Sequence, residues 1–179
     1  MIRTVAVIGA GAAGRAFALR CVGAGFAVAL EDVMPEKLRR AQDDYSSLAA
    51  EGVGSLRVAT TVEEAVQDAD LAIDFVPDEL ESKLEIFSLL DRMAPPRTIL
   101  CTPTKTLSIT DLASCTYRAG LCVGLRSGNF IAGPVEVLRS RFASAEAVGS
   151  VTAMLARLGL ASSVLDDTEE PMLVKNLVL

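Results

Sequence analysis

Residues Gly9-Ala10-Gly11-Ala12-Ala13-Gly14 fit the spacing GxGxxG. They directly follow the apolar run Thr4 to Ile8 and open a stretch in which Ala16, Leu19 and Val22/Gly23 recur at helical spacing. Strand, glycine turn and helix in that order make the spacing specific. Gly9 permits the tight turn, Gly11 lets the backbone approach a pyrophosphate, and Gly14 lets the helix pack closely on the strand. The helix start then offers free N–H groups and the positive end of its dipole to phosphates. The whole loop, Ala10, Ala12 and Ala13 included, is expected to bind a dinucleotide. FAD, another nucleotide, or a glycine turn without a ligand are the alternatives that the spacing leaves.

Asp32 ends the next apolar run, 18 residues after Gly14. A carboxylate there can accept hydrogen bonds from both hydroxyls of the adenosine ribose, and it repels the 2′-phosphate of NADP. Glu31 adds negative charge, and no arginine follows directly to hold that phosphate. The expected cofactor is therefore NAD.

Short apolar runs and helix-like stretches alternate along the rest of the chain. Strands are expected near Phe26–Leu30, Arg57–Thr60, Leu71–Val76, Thr98–Thr102, Leu121–Leu125, Pro134–Leu138 and Ser162–Leu165. Helices are expected from Pro35 to about Ala50 and near Thr61–Ala69, Pro77–Met93, Ser108–Ala113 and Ser144–Leu158. Proline opens the first of these without losing a hydrogen bond. Strands separated by helices mean βαβ units: an α/β fold with a doubly wound, mostly parallel sheet of the Rossmann type. No linker divides the 179 residues, so one domain over 1–179 is expected.

Composition narrows the chemistry. The net charge of −6 argues against a nucleic-acid partner. There is no histidine, and Cys21, Cys101, Cys115 and Cys122 are scattered without a CxxC pair. No metal site is expected, nor a Ser-His-Asp or Cys-His nucleophile pair, and the usual general base near pH 7 is missing. The cysteines read as reduced thiols, most of them in or near the core. The N-terminal apolar stretch is interrupted by glycines and by Arg15 and Arg20, unlike a signal peptide, and no apolar run is long enough to span a bilayer. The cytoplasm is the expected location.

Nearly the whole chain resembles the N-terminal NAD-binding domain of L-3-hydroxyacyl-CoA dehydrogenases. The resemblance runs through VAVIGAGAAG, VALED, ATTVEEAVQDADLAIDFVPDELESK, IFSLLDRMAPPRTIL and TLSITDLA, and more weakly through GLRSGNF, PVEVL and PMLVKN. It implies hydride transfer between NAD and the 3-hydroxyl of an acyl thioester, carried by CoA or an acyl-carrier protein, with a glutamate-held histidine as base. It places Gly9, Gly11, Gly14 and Asp32 on the adenine half of NAD. Glu79 and Lys83 fall near the nicotinamide ribose and substrate. Glu136 matches the orienting glutamate, and Asn129 and Asn176 match asparagines near the substrate.

The departures concern the chemistry. The family's histidine, in a GLHFFNP-like motif, is Arg126 here, and arginine stays protonated. The family's NTSS segment is Pro103-Thr104-Lys105-Thr106, and the chain stops where the family's helical C-terminal domain begins. Three readings follow. A dehydrogenase with altered catalysis would use Lys105 as proton donor or acceptor, desolvated beside Arg126, with Arg126 steadying an alkoxide or an anionic group. Against this, Lys105 reads equally as a solvated loop lysine and Arg126 as an ion-pair partner of Glu136. An inactive NAD-binding subunit or sensor is the second reading. Half of a split enzyme is the third, with the apolar end Pro171–Leu179 covered by a partner chain, by a homodimer contact or by its own domain.

Overall fold

The computed structural model describes residues 1–48 and 53–167. Among the described residues, eight strands and six α-helices follow the order that the sequence patterning expects. They are β1 (Thr4–Ile8), α1 (Ala12–Gly23), β2 (Ala27–Glu31), α2 (Pro35–Ser46), β3 (Ser55–Ala59), α3 (Val62–Val66) and β4 (Leu71–Asp74). Then come α4 (Leu80–Met93), β5 (Ile99–Pro103), α5 (Ile109–Ser114), β6 (Cys122–Arg126), β7 (Val135–Arg139), α6 (Ala145–Arg157) and β8 (Ser162–Asp166). Thr61, Ser108 and Ser144 start α3, α5 and α6 by accepting the amides of Glu64, Asp111 and Ala147. Each satisfies one of the free donors of a helix's first turn.

The strands form one sheet in the order β3-β2-β1-β4-β5-β6-β7-β8. Every neighbouring pair is parallel except β6 and β7. Side chains alternate between the two faces. Val5, Val7, Val28, Leu30, Ile73 and Val123 pack on one side with Phe17 and Cys21 of α1 and Val151 and Leu155 of α6. Ala6, Ile8, Ala72 and Leu100 pack on the other with Phe87 and Leu90 of α4 and Leu112 of α5. Burial on both faces is the doubly wound arrangement. Cys21, Cys101 and Cys122 are in the core and Cys115 is exposed, all four as free thiols. Among the described residues no helix is long and apolar enough to cross a membrane.

Two boundaries differ from the sequence expectation in a way that shapes the site. The helix expected from Pro77 begins at Leu80. Proline biases the residue before it, Val76, toward extended backbone, and Glu79 is itself extended at φ −123°, ψ 140°. Residues 75–79 therefore run as a loop across the end of the sheet. The α2 helix ends at Ser46 rather than near Ala50, and the last residues of that expectation lie outside the described ones.

Candidate functional site

The order of the sheet reverses at β1, which pairs β2 on one side and β4 on the other. A crevice opens there beyond the carboxyl ends of the strands, where ligands bind in sheets of this kind. The glycine loop lies in it. Gly9 has φ +98°, a region that favours glycine, and a Cβ at Gly14 would come within 1.9 Å of the Gly9 carbonyl oxygen. These two are fixed by the fold itself. Gly11 differs: its backbone is ordinary (φ −62°, ψ −178°), and nothing lies within 4 Å of where its Cβ would be. Its bareness leaves room for a ligand to meet the backbone. The first turn of α1 carries no acidic residue and no side-chain cap, and Ala12 and Ala13 within it are exposed. This is a fit for a pyrophosphate.

Asp32, at the tip of β2, is buried. Its Oδ2 accepts the Ala10 amide at 2.8 Å and its Oδ1 accepts the Met34 amide at 2.9 Å. Burial works against its charge, but those two amides and the Lys37 ammonium outweigh burial and hold the carboxyl below the usual carboxylate range. Burial, and then the Asp32 charge, push Glu31 up. Asp32, Gly9 and Gly11 border a cleft whose far wall is apolar, made by Val62, Ile86 and Leu89. A flat base fits that wall and a ribose fits the Asp32 end.

A second cleft adjoins the first and shares Phe75 and Val76 with it. Ala13, Asp78, Thr104, Lys105, Ser127 and Phe130 line it. Phe75, Phe130 and Phe17 form a triangle with ring centroids 5.5 to 6.4 Å apart, so the shared wall is braced from the core. Asp78 Oδ2 accepts the Lys105 amide at 2.8 Å and ties the loop after β4 to the loop after β5.

The expected site residues divide accordingly. Gly9, Gly11, Asp32, Ala13, Lys83 and Lys105 all border one of the two clefts. Glu79, the N-cap of α4, is exposed and lines neither cleft, whereas its neighbour Asp78 does. Lys83 is buried, with its Nζ 2.7 Å from Asp74 Oδ1. Burial pushes the Asp74 carboxyl up, and Lys83 pulls against it. Lys105 is exposed, so the expected desolvation beside a second cation is not found: its loop lies on the rim, held by the bond from its amide to Asp78. Arg126 and Glu136 face each other across the β6–β7 ladder with Nη1 and Oε2 3.6 Å apart. The two side chains are 41% and 42% exposed, and Arg126 Nε has no hydrogen-bond partner among the described residues. Asn129 uses its Oδ1 to accept the Ile131 and Ala132 amides and so shapes its own loop. Asn176 and the apolar end Pro171–Leu179 lie outside the described residues.

Sequence reasoning missed Asp78 and Lys37. Asp78 stands one residue before the position singled out. Lys37 lies in the first turn of a helix that starts three residues after Asp32, a signal that could have placed it at the strand end.

Known proteins bear on the site as follows. A family model described as 3-hydroxyacyl-CoA dehydrogenase, NAD binding domain, matches residues 4–168. A probable 3-hydroxybutyryl-CoA dehydrogenase of Bacillus subtilis (strain 168) is 32% identical, over 99% of this chain and 67% of that protein. A 5-formyl-3-hydroxy-2-methylpyridine 4-carboxylate 5-dehydrogenase of Mesorhizobium japonicum is 28% identical, over 100% of this chain and 62% of that protein. The crystal structure of a dehydrogenase of the latter kind, described as an NAD+-dependent dismutase, superposes with a TM-score of 0.81 at 27% identity, over 99% of this chain and 62% of that one. The chain thus spans about two thirds of the length of these relatives. The match over 4–168, together with the glycine loop and the crevice at β1 and β4, establishes that the chain belongs to the family of 3-hydroxyacyl-CoA dehydrogenase NAD-binding domains, whose cofactor is NAD.

Proposed function

We propose that the chain holds NAD across the carboxyl edge of its sheet and takes part in hydride transfer between that cofactor and the 3-position of an acyl thioester. The observation that carries this reading is the pair of clefts joined at Phe75 and Val76, with the open face of Gly11 in one and Lys105 on the rim of the other. Gly9 to Gly14 would take the pyrophosphate and Asp32 the adenosine ribose. Asp78 and Lys83 would shape the nicotinamide end, Lys83 from beneath through Asp74, and Glu79 would contribute from the start of α4.

NADH, when bound, supplies the hydride. The chain's own groups supply protons and positive charge. The Lys105 ammonium donates a proton to the 3-oxo oxygen of the substrate, and Arg126, held by Glu136, steadies the negative charge that develops there. With no histidine in the sequence to act as base, this constellation suits reduction of a 3-oxoacyl thioester to the 3-hydroxy product. One proton and one hydride are consumed per turnover. The carrier is CoA or an acyl-carrier protein. Free thiols fit a reducing compartment, the cytoplasm.

The exposure of Lys105 and the pairing of Arg126 with Glu136 favour a second reading: NAD binding without turnover, as a subunit, a sensor or half of a split enzyme. One experiment separates the two. Loss of NADH absorbance at 340 nm is followed with acetoacetyl-CoA at high protein concentration, with Lys105→Ala in parallel. Turnover in wild type and a loss of about 10²-fold or more in the variant is the expected result. NADH binding with no turnover in either protein would turn the assignment to the second reading.

A further inference from the structure

The adenosine end of the crevice holds a cation that its carboxylate does not need. Lys37 is the third residue of α2, and Pro35 at the helix start fixes the turn that carries it back toward β2. Its Nζ lies 3.5 Å from Asp32 Oδ2, a long contact, and its side chain is 39% exposed against 8% for Asp32. Asp32 is already held by the Ala10 and Met34 amides at 2.8 and 2.9 Å, so its position does not depend on the lysine. Lys37 also borders the cleft itself.

A lone carboxylate at the end of β2 rejects a 2′-phosphate by like-charge repulsion. Here that repulsion is offset by a unit positive charge within ion-pair distance of the carboxylate. Because the ammonium is loosely held and solvent-facing, it can swing from Asp32 to a phosphate oxygen and form a charge-assisted hydrogen bond there. We propose that Lys37 makes the adenosine end tolerant of a 2′-phosphate, so that the chain accepts NADP(H) as well as NAD(H). The inference rests on the reading that this crevice holds a nicotinamide dinucleotide. It adds NADP to the NAD that Asp32 favours and does not replace it. Asp32, Glu31 and Glu85 also border the cleft, so NADH remains the tighter ligand.

The test is direct binding. Wild type, Lys37→Ala and Lys37→Arg are titrated separately with NADH and NADPH at low salt, reading reduced-nicotinamide fluorescence. Wild type should bind both. Lys37→Ala should raise the ratio of the NADPH to the NADH dissociation constant about tenfold, the loss of one hydrogen bond between charged groups. Lys37→Arg should keep the wild-type ratio or lower it. Added salt should weaken NADPH more than NADH. Wild type that binds NADH but not NADPH, or a ratio unmoved by Lys37→Ala, would overturn the proposal. Binding of neither dinucleotide would instead bring down the cofactor reading on which it rests.

Discussion

The two ends of the crevice are built from different materials. At the adenosine end, backbone and buried groups set the geometry. Gly14 sits where a Cβ would lie 1.9 Å from a carbonyl oxygen, and Asp32 is tied to two amides of its own loops. At the reacting end, side chains set it. Lys105 is exposed, and Arg126 and Glu136 meet at 3.6 Å with two fifths of each in solvent. The first end cannot change without disturbing the packing of α1 on the sheet. The second can, because its groups hold little of the structure together. A fold of this kind can therefore keep its cofactor cleft while its proton-transfer residues change.

If that contrast is right, the largest stability effect belongs to a charged pair near the reacting end that is buried, Lys83 and Asp74. Lys83→Met keeps much of the side chain's volume but takes the cation away from buried Asp74. The expected loss is about 3–5 kcal/mol, read by urea or thermal unfolding. The pH dependence identifies the cause. Burial raises the Asp74 carboxyl above its unfolded value, more so without Lys83. A raised carboxyl favours the folded state below the unfolded pKa, and that contribution is lost as pH rises through the folded one. The deficit of Lys83→Met should therefore be greatest at neutral pH and shrink in acid. A deficit independent of pH would mean lost packing alone, and Asp74 would then not carry a charge for Lys83 to neutralise.

The two helix-side glycines sharpen the contrast further. Gly14→Ala forces a side chain against a backbone carbonyl and should cost about 3 kcal/mol of stability. Gly11→Ala meets nothing within 4 Å and its φ suits any residue, so its melting temperature should stay near wild type. Its NADH affinity should nevertheless fall about tenfold or more, about 1.4 kcal/mol. Equal effects on stability from both variants would erase the distinction between a glycine kept by the fold and one kept by a ligand.

The same division explains what could be read from sequence. The glycine spacing and the alternation of strands and helices are local patterns, and they led to the mostly parallel sheet and to the glycine turn between β1 and α1. The start of α5 is local too: Ser108 caps it through the Asp111 amide, and capping is decided within four residues. The reacting end depends on contacts between distant segments. The bond from the Lys105 amide to Asp78 spans 27 residues, and the burial of Lys83 follows from how α4 lies against the sheet. Whether a lysine is desolvated or on a rim is decided by that packing: of the two readings open for Lys105, its exposure fits the solvated loop lysine, and Lys83, expected near the ligand, is buried and borders the second cleft. Lys37 was overlooked for a smaller reason. It is five residues from Asp32 in sequence, and only the turn at Pro35 brings it back.

The smallest expected effect is the most discriminating one for the reacting end. The resemblance of GLRSGNF and PVEVL to the family's motifs would put Arg126 and Glu136 at the positions of a histidine and its orienting glutamate. If their contact exists only to satisfy two exposed charges, a double-mutant cycle of Arg126→Gln and Glu136→Gln should give a coupling in stability below about 1 kcal/mol, screened further by salt. Turnover, where the assay of Lys105 detects it, should respond differently. Losing the guanidinium should lower kcat, because the charge it offsets is present only as the hydride arrives, while KM should change little. A coupling well above 1 kcal/mol would place the pair among the structural elements, like Lys83 and Asp74. The reacting end would then be as tightly fixed as the adenosine end, and Arg126 could not be read as free variation on a retained frame.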